Sequence, residues 1–129
     1  MKKIIAAILV LTLVLTVASV AMAGDANFHI VTDSTSVYTV GHSPVDKTAS
    51  KWTIRIDVAA SNLSSTHRAV ARVHKGSPAI SATYVFTENT YNNYGYKQGY
   101  TGLVSGITFR SKLDDRDSGT LEFHGRFIY

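Results

Sequence analysis

Apolar and polar residues alternate with period two along most of this chain from Phe28 onward, and no stretch carries a helical stripe. Phe28 to Val40 reads as one or two short strands broken near Asp33-Ser34. Lys51 to Ala59 is the cleanest case, with Trp52, Ile54, Ile56 and Val58 on one side and Lys51, Thr53, Arg55 and Asp57 on the other. That pattern is a strand with one dry and one wet face, and it assigns Trp52 to the core. Thr66 to Lys75 puts Ala69, Ala71 and Val73 on one side, and Gly76-Ser77-Pro78 closes it. Ala79 to Glu88 aligns Ile80, Ala82, Tyr84 and Phe86. Further on, Tyr100 to Lys112 and Thr120 to Tyr129 flank an acidic turn, and the last strand presents Leu121, Phe123, Phe127 and Tyr129 on one face. The expectation is an all-β domain, a single antiparallel β-sandwich or small barrel of about six to eight short strands.

The pattern changes at the N-terminus. Met-Lys-Lys is followed by an apolar run from Ile4 to Val17 and then by Ala21 and Ala23 with one residue between, the three-part layout of a secretory signal peptide. Cleavage after Ala23, before Gly24, gives residues 1–23 as leader and 24–129 as one secreted domain with no membrane anchor. The competing reading is an uncleaved anchor, because Ile4 to Ala23 is 20 residues long and just spans a bilayer. The small side chains at the end of the run favour cleavage.

Without Lys2 and Lys3 the chain has 11 basic against 9 acidic side chains, a net charge of +2 with histidines neutral. That balance lacks the clustered basic stripe of a nucleic-acid binder. The chain has no cysteine, although export would permit disulfides, so the domain rests on its core, a bound ion or self-association. Leader and size resemble the many small, exported, cysteine-free proteins of Gram-positive bacteria. The resemblance implies a location and no activity.

Four of the seven tyrosines crowd into Asn89 to Tyr100, NTYNNYGYKQGY. Stiff aromatic faces beside adaptable amides and glycines form the composition that rigid scaffolds use for binding loops. Tyr91, Tyr94 and Tyr96 are the candidate contacts, with Asn92, Asn93 and Gln98 beside them, and the ligand is a cell-envelope glycan or a partner protein. The plainer alternative is a long hairpin whose Tyr96 and Tyr100 cover the end of the core. In the turn from Asp114 to Gly119, Asp115 and Asp117 are candidate calcium ligands, against ordinary Asp-Ser-Gly turn chemistry. No other cofactor is indicated. The five histidines lack metal-ligand spacing, and no nucleophile elbow or phosphate loop occurs. If their strands pair, Arg55, Arg68 and Arg72 form a positive stripe suited to wall polyanions or acidic lipid headgroups.

The expected function is a small secreted, non-catalytic binding or interaction module. Two other classes compete with it. A bacteriocin-like antagonist of other cells' envelopes would cause leakage, and a self-assembling extracellular matrix protein would polymerise through strand edges such as the apolar C-terminal strand.

Overall fold

A computed structural model describes residues 24–48 and 50–129; the expected leader, with Ala21 and Ala23, lies outside the described residues. The described chain is all β, with nine strands: β1 (Asp25–Thr32), β2 (Thr39–Val40), β3 (Val45–Lys47), β4 (Thr53–Ser61), β5 (Ala69–Lys75), β6 (Tyr84–Phe86), β7 (Tyr91–Gly95), β8 (Val104–Leu113) and β9 (Leu121–Ile128). The first sheet has the order β1-β9-β4-β7; the second runs β2-β8-β5-β6, with β3 also paired to β8. Every pairing is antiparallel, and the two sheets pack face to face as a β-sandwich. Among the described residues, no helix is long and apolar enough to cross a membrane.

The alternation read from the sequence places the core. Phe28 and Ile30 of β1, Ile54, Ile56 and Val58 of β4, and Leu121, Phe123 and Phe127 of β9 are buried from one side. Ala69, Ala71 and Val73 of β5, Phe86 of β6, and Ile107, Phe109 and Leu113 of β8 meet them from the other. The small alanines make room for rings: Ala69 lies opposite Phe86, and Phe109 reaches Phe28 at 4.7 Å and Phe123 at 6.3 Å between ring centres. Burying one such ring stabilises the fold by about 1.5–3 kcal/mol. Tyr129 completes the apolar face of the last strand, and its N–H donates to the Gly24 carbonyl at 2.9 Å.

Four sequence expectations change. Trp52 is not a core residue: it stands at a bend one residue before β4, where the strand alternation has not begun, and its side chain is 79% exposed. Ala82 is exposed, and Ser81 takes the inward place instead, its hydroxyl accepting from the Val73 N–H at 2.9 Å and donating to the Ala82 carbonyl. Arg55 lies on the first sheet while Arg68 and Arg72 belong to the β5 segment of the second, so the three form no stripe. The apolar C-terminal strand β9 is no free edge either, because β1 and β4 flank it on both sides. Close approach is enforced there by Gly125, where a Cβ would stand 1.8 Å from the Asp57 carbonyl oxygen, beside a register shift between Val58 and Ala60.

Candidate functional site

The tyrosine segment is a strand rather than a loop. Residues Tyr91 to Gly95 form β7 at the edge of the first sheet, pairing with β4 from Asp57↔Tyr91 to Thr53↔Gly95. Strand geometry then sorts its side chains by parity. Tyr94 turns inward, with its ring 3.8 Å from that of Tyr84 and 5.7 Å from that of Phe86, and it packs against the core. Tyr96 goes further inside: it is 8% exposed, its hydroxyl is enclosed without a hydrogen-bond partner, and burial raises its pKa above the ordinary tyrosine value. Tyr100 covers the same end, partly buried. Two of the predicted contacts are thus placed in or against the core.

The other parity faces water. Tyr91 is 68% exposed, and Asn93 beside it is exposed as well. The Arg55 guanidinium lies 4.7 Å from the centre of the Tyr91 ring, and its Nε donates to Asp57 Oδ1 at 2.7 Å. That hydrogen bond raises the Arg55 pKa and fixes the cation against the ring. Gln98, in the turn that follows β7, is exposed too.

Trp52 joins this edge. Its carbonyl accepts the Tyr96 N–H at 3.0 Å and Lys51 N–H donates to the Thr101 carbonyl at 2.9 Å, so the chain before β4 stays laced to the segment after β7. The indole separates two shallow recesses. One is bounded by Lys51, Trp52, Thr53, Arg55, Asn93 and Ile128, the other by Trp52, Tyr96, Gln98 and Thr101. The position opposite Trp52 is five residues from Tyr91, about 17 Å along the strand. The edge therefore presents two exposed aromatic platforms with an amide at each recess.

Sequence reasoning missed Trp52 because its parity with Ile54 and Ile56 is that of the core. The available signal was its place next to Ser50-Lys51, at the very start of an alternating run, where parity is least binding.

The acidic turn holds itself together. Asp117 accepts Arg68 Nε at 3.0 Å and Nη2 at 2.9 Å, together with the Arg68 N–H at 2.7 Å. Asp114, buried, takes Arg116 through Nε and Nη2, each at 2.9 Å. These hydrogen bonds hold both carboxyls below the usual aspartate range. With both oxygens of Asp117 committed to Arg68, the turn does not present Asp115 and Asp117 together to a cation. Among the described residues no group of three or more His, Cys, Asp or Glu side chains is arranged to hold a metal ion.

Compared with known proteins, the chain matches no family model, no curated protein and no solved structure.

Proposed function

We propose that this protein is a secreted, non-catalytic binding module that recognises a cell-envelope glycan along the β4-β7 edge, with Trp52 and Tyr91 stacking on sugar rings and Asn93, Gln98 and Arg55 reaching hydroxyls. The observation that carries the reading is Trp52: the only tryptophan of the chain is 79% exposed on a folded edge, between two recesses lined with polar side chains. An indole held in water with hydrogen-bonding groups beside it has the form of a ligand platform, apolar on its face and polar at its rim. The two residues stand about 17 Å apart along the strand direction, a span that an extended oligosaccharide covers and one sugar does not.

The single tryptophan makes the test direct. Residues 24–129 are titrated with isolated envelope glycans and pulled down on intact cell walls at low and high salt. The expected result is an emission like that of water-exposed indole in the free protein, shifted to the blue and shielded from quencher by ligand, with binding that resists salt. Trp52→Ala and Tyr91→Ala should abolish retention and leave stability within about 0.5 kcal/mol, as surface changes do. Undiminished retention of the double variant would sink the proposal.

A further inference from the structure

The outward face of the second sheet has a different chemistry from that of the first. On the first sheet, cations have acidic neighbours: Arg55 with Asp57, and Arg126 with Asp25 and Asp57. On the second, Arg72 and Arg110 stand directly opposite each other on β5 and β8, and Lys112 lies one step further along β8. Among the described residues none of the three forms an ion pair with a carboxylate; each is held by a neutral oxygen, Arg72 by Thr83 Oγ1 at 2.7 Å, Arg110 by Thr108 Oγ1 at 2.9 Å and Lys112 by the Thr35 carbonyl at 2.6 Å. The carboxylate of Asp46 stands near the other end of β8, accepting from the Gly106 N–H at 2.9 Å. Like charges directly across a ladder destabilise a sheet, so this arrangement stores repulsion that an anion would relieve.

Apolar side chains share the same face. Val40 lies opposite Arg110, and Val85 lies opposite Val70, itself opposite Lys112. Val40 is 45% exposed and Val85 52% exposed. Tyr38 lies across the patch, half-buried with its hydroxyl enclosed, its ring 5.1 Å from the Arg72 guanidinium, 5.7 Å from Lys112 Nζ and 5.7 Å from the ring of buried His74.

We infer that this face, built on Arg72, Arg110, Lys112, Tyr38, Val40 and Val85, docks on an anionic phospholipid bilayer. Unpaired cations attract acidic headgroups, and exposed valines beside an aromatic ring enter the headgroup boundary. A hydrophilic polyanion would use the cations and leave the valines in water, and this is why the bilayer is the favoured occupant. The face lies on the opposite sheet from Trp52 and Tyr91, so the inference stands independently of the glycan reading.

The test is co-sedimentation of residues 24–129 with vesicles of phosphatidylglycerol and phosphatidylcholine, beside vesicles of phosphatidylcholine alone. Binding should require the anionic lipid and weaken steeply with salt. Each basic residue near an anionic surface contributes about fivefold, so the Arg72→Gln/Arg110→Gln/Lys112→Gln variant should lose about a hundredfold in partitioning. Arg126→Gln, on the other sheet, should change it by less than about fivefold, and the single variants provide the same comparison if the triple variant fails to fold. Val40→Ser/Val85→Ser should weaken vesicle binding without changing the capture of soluble polyphosphate. The inference is overturned by equal binding to neutral vesicles, by full binding of the glutamine variants, or by polyphosphate capture tighter than vesicle binding at equal phosphate.

Discussion

Tyr96 separates a core ring from a contact ring, and two substitutions at that position should differ widely in stability. The ring is 8% exposed, packed with the core, and Lys47 Nζ lies 5.0 Å from its centre while donating to the Thr101 carbonyl at 2.8 Å and to that of Gly102. Tyr96→Ala removes the ring and leaves a cavity, a change that costs about 3–5 kcal/mol for a large aromatic. Tyr96→Phe keeps the ring and removes a hydroxyl that is enclosed with no partner. A buried unsatisfied polar group costs about 1–3 kcal/mol, so the phenylalanine variant should equal or exceed the wild type by up to that amount. In a domain of about 100 residues each kcal/mol shifts Tm by about 4–8 °C, so the two variants should melt at least about 12 °C apart. The assay is thermal unfolding followed by circular dichroism, with glycan retention measured on the same samples. The phenylalanine variant should bind as the wild type does, because Tyr96 gives its ring to the interior. A Tyr96→Ala protein that melts normally but loses its ligand would refute the argument, and so would a Tyr96→Phe protein destabilised by more than about 1 kcal/mol.

Other outcomes follow from the same contacts. Gly125→Ala should abolish folding or cost more than about 4 kcal/mol, because the new methyl overlaps the Asp57 carbonyl; a protein with near-normal Tm would show that β4 and β9 can separate there. Asp114 and Asp117 have pKa values lowered by Arg116 and Arg68 respectively, so their contribution to stability is complete above the unfolded aspartate value and is lost as pH falls through the folded values. Melting curves should therefore show Tm dropping below about pH 4, with a shallower drop in Asp117→Asn; parallel acid arms would contradict this. Calcium should leave Tm unchanged, since Asp117 is engaged by Arg68; a clear rise would mean that the ion displaces the arginine.

Most of the sandwich was legible in the chain because period-two burial is a local signal. Ile54, Ile56, Val58, Ala69, Ala71, Val73, Leu121, Phe123 and Phe127 all went where alternation placed them. What alternation does not carry is which strand neighbours which. Arg55 and Arg72 read as equivalent wet-face cations, yet one is paired with Asp57, which Arg126 also approaches, and the other faces Arg110. A short element was also hidden: β3 holds three residues, too few for a period to be seen, and it exists because β8 offers it a ladder. At the candidate site the composition of the tyrosine strand was visible while its parity was not, because Asn92-Asn93 and Gly95 leave no apolar partner against which to count.

That parity also explains the crowding of tyrosines. An edge strand has one free ladder side, which invites pairing with another chain, and it gains from side chains that serve both faces of the sheet. Tyr94, with Tyr96 just beyond the strand, closes the end of the core, where an irregular margin needs large stiff rings. Tyr91 and Asn93, one step out of phase, give the outer surface an aromatic platform and an amide without an aliphatic stripe that would promote aggregation. Arg55 lying against Tyr91 adds a charge to the same edge. If the β7 edge were built for self-assembly, its outward residues would be apolar and flat; instead they are an amide, a glycine and a cation-covered ring, a surface better suited to a hydroxyl-bearing ligand than to another β-strand. Sedimentation velocity across a hundredfold concentration range checks this: the protein should stay monomeric, whereas growth with concentration that Tyr91→Lys prevents would assign the edge to assembly.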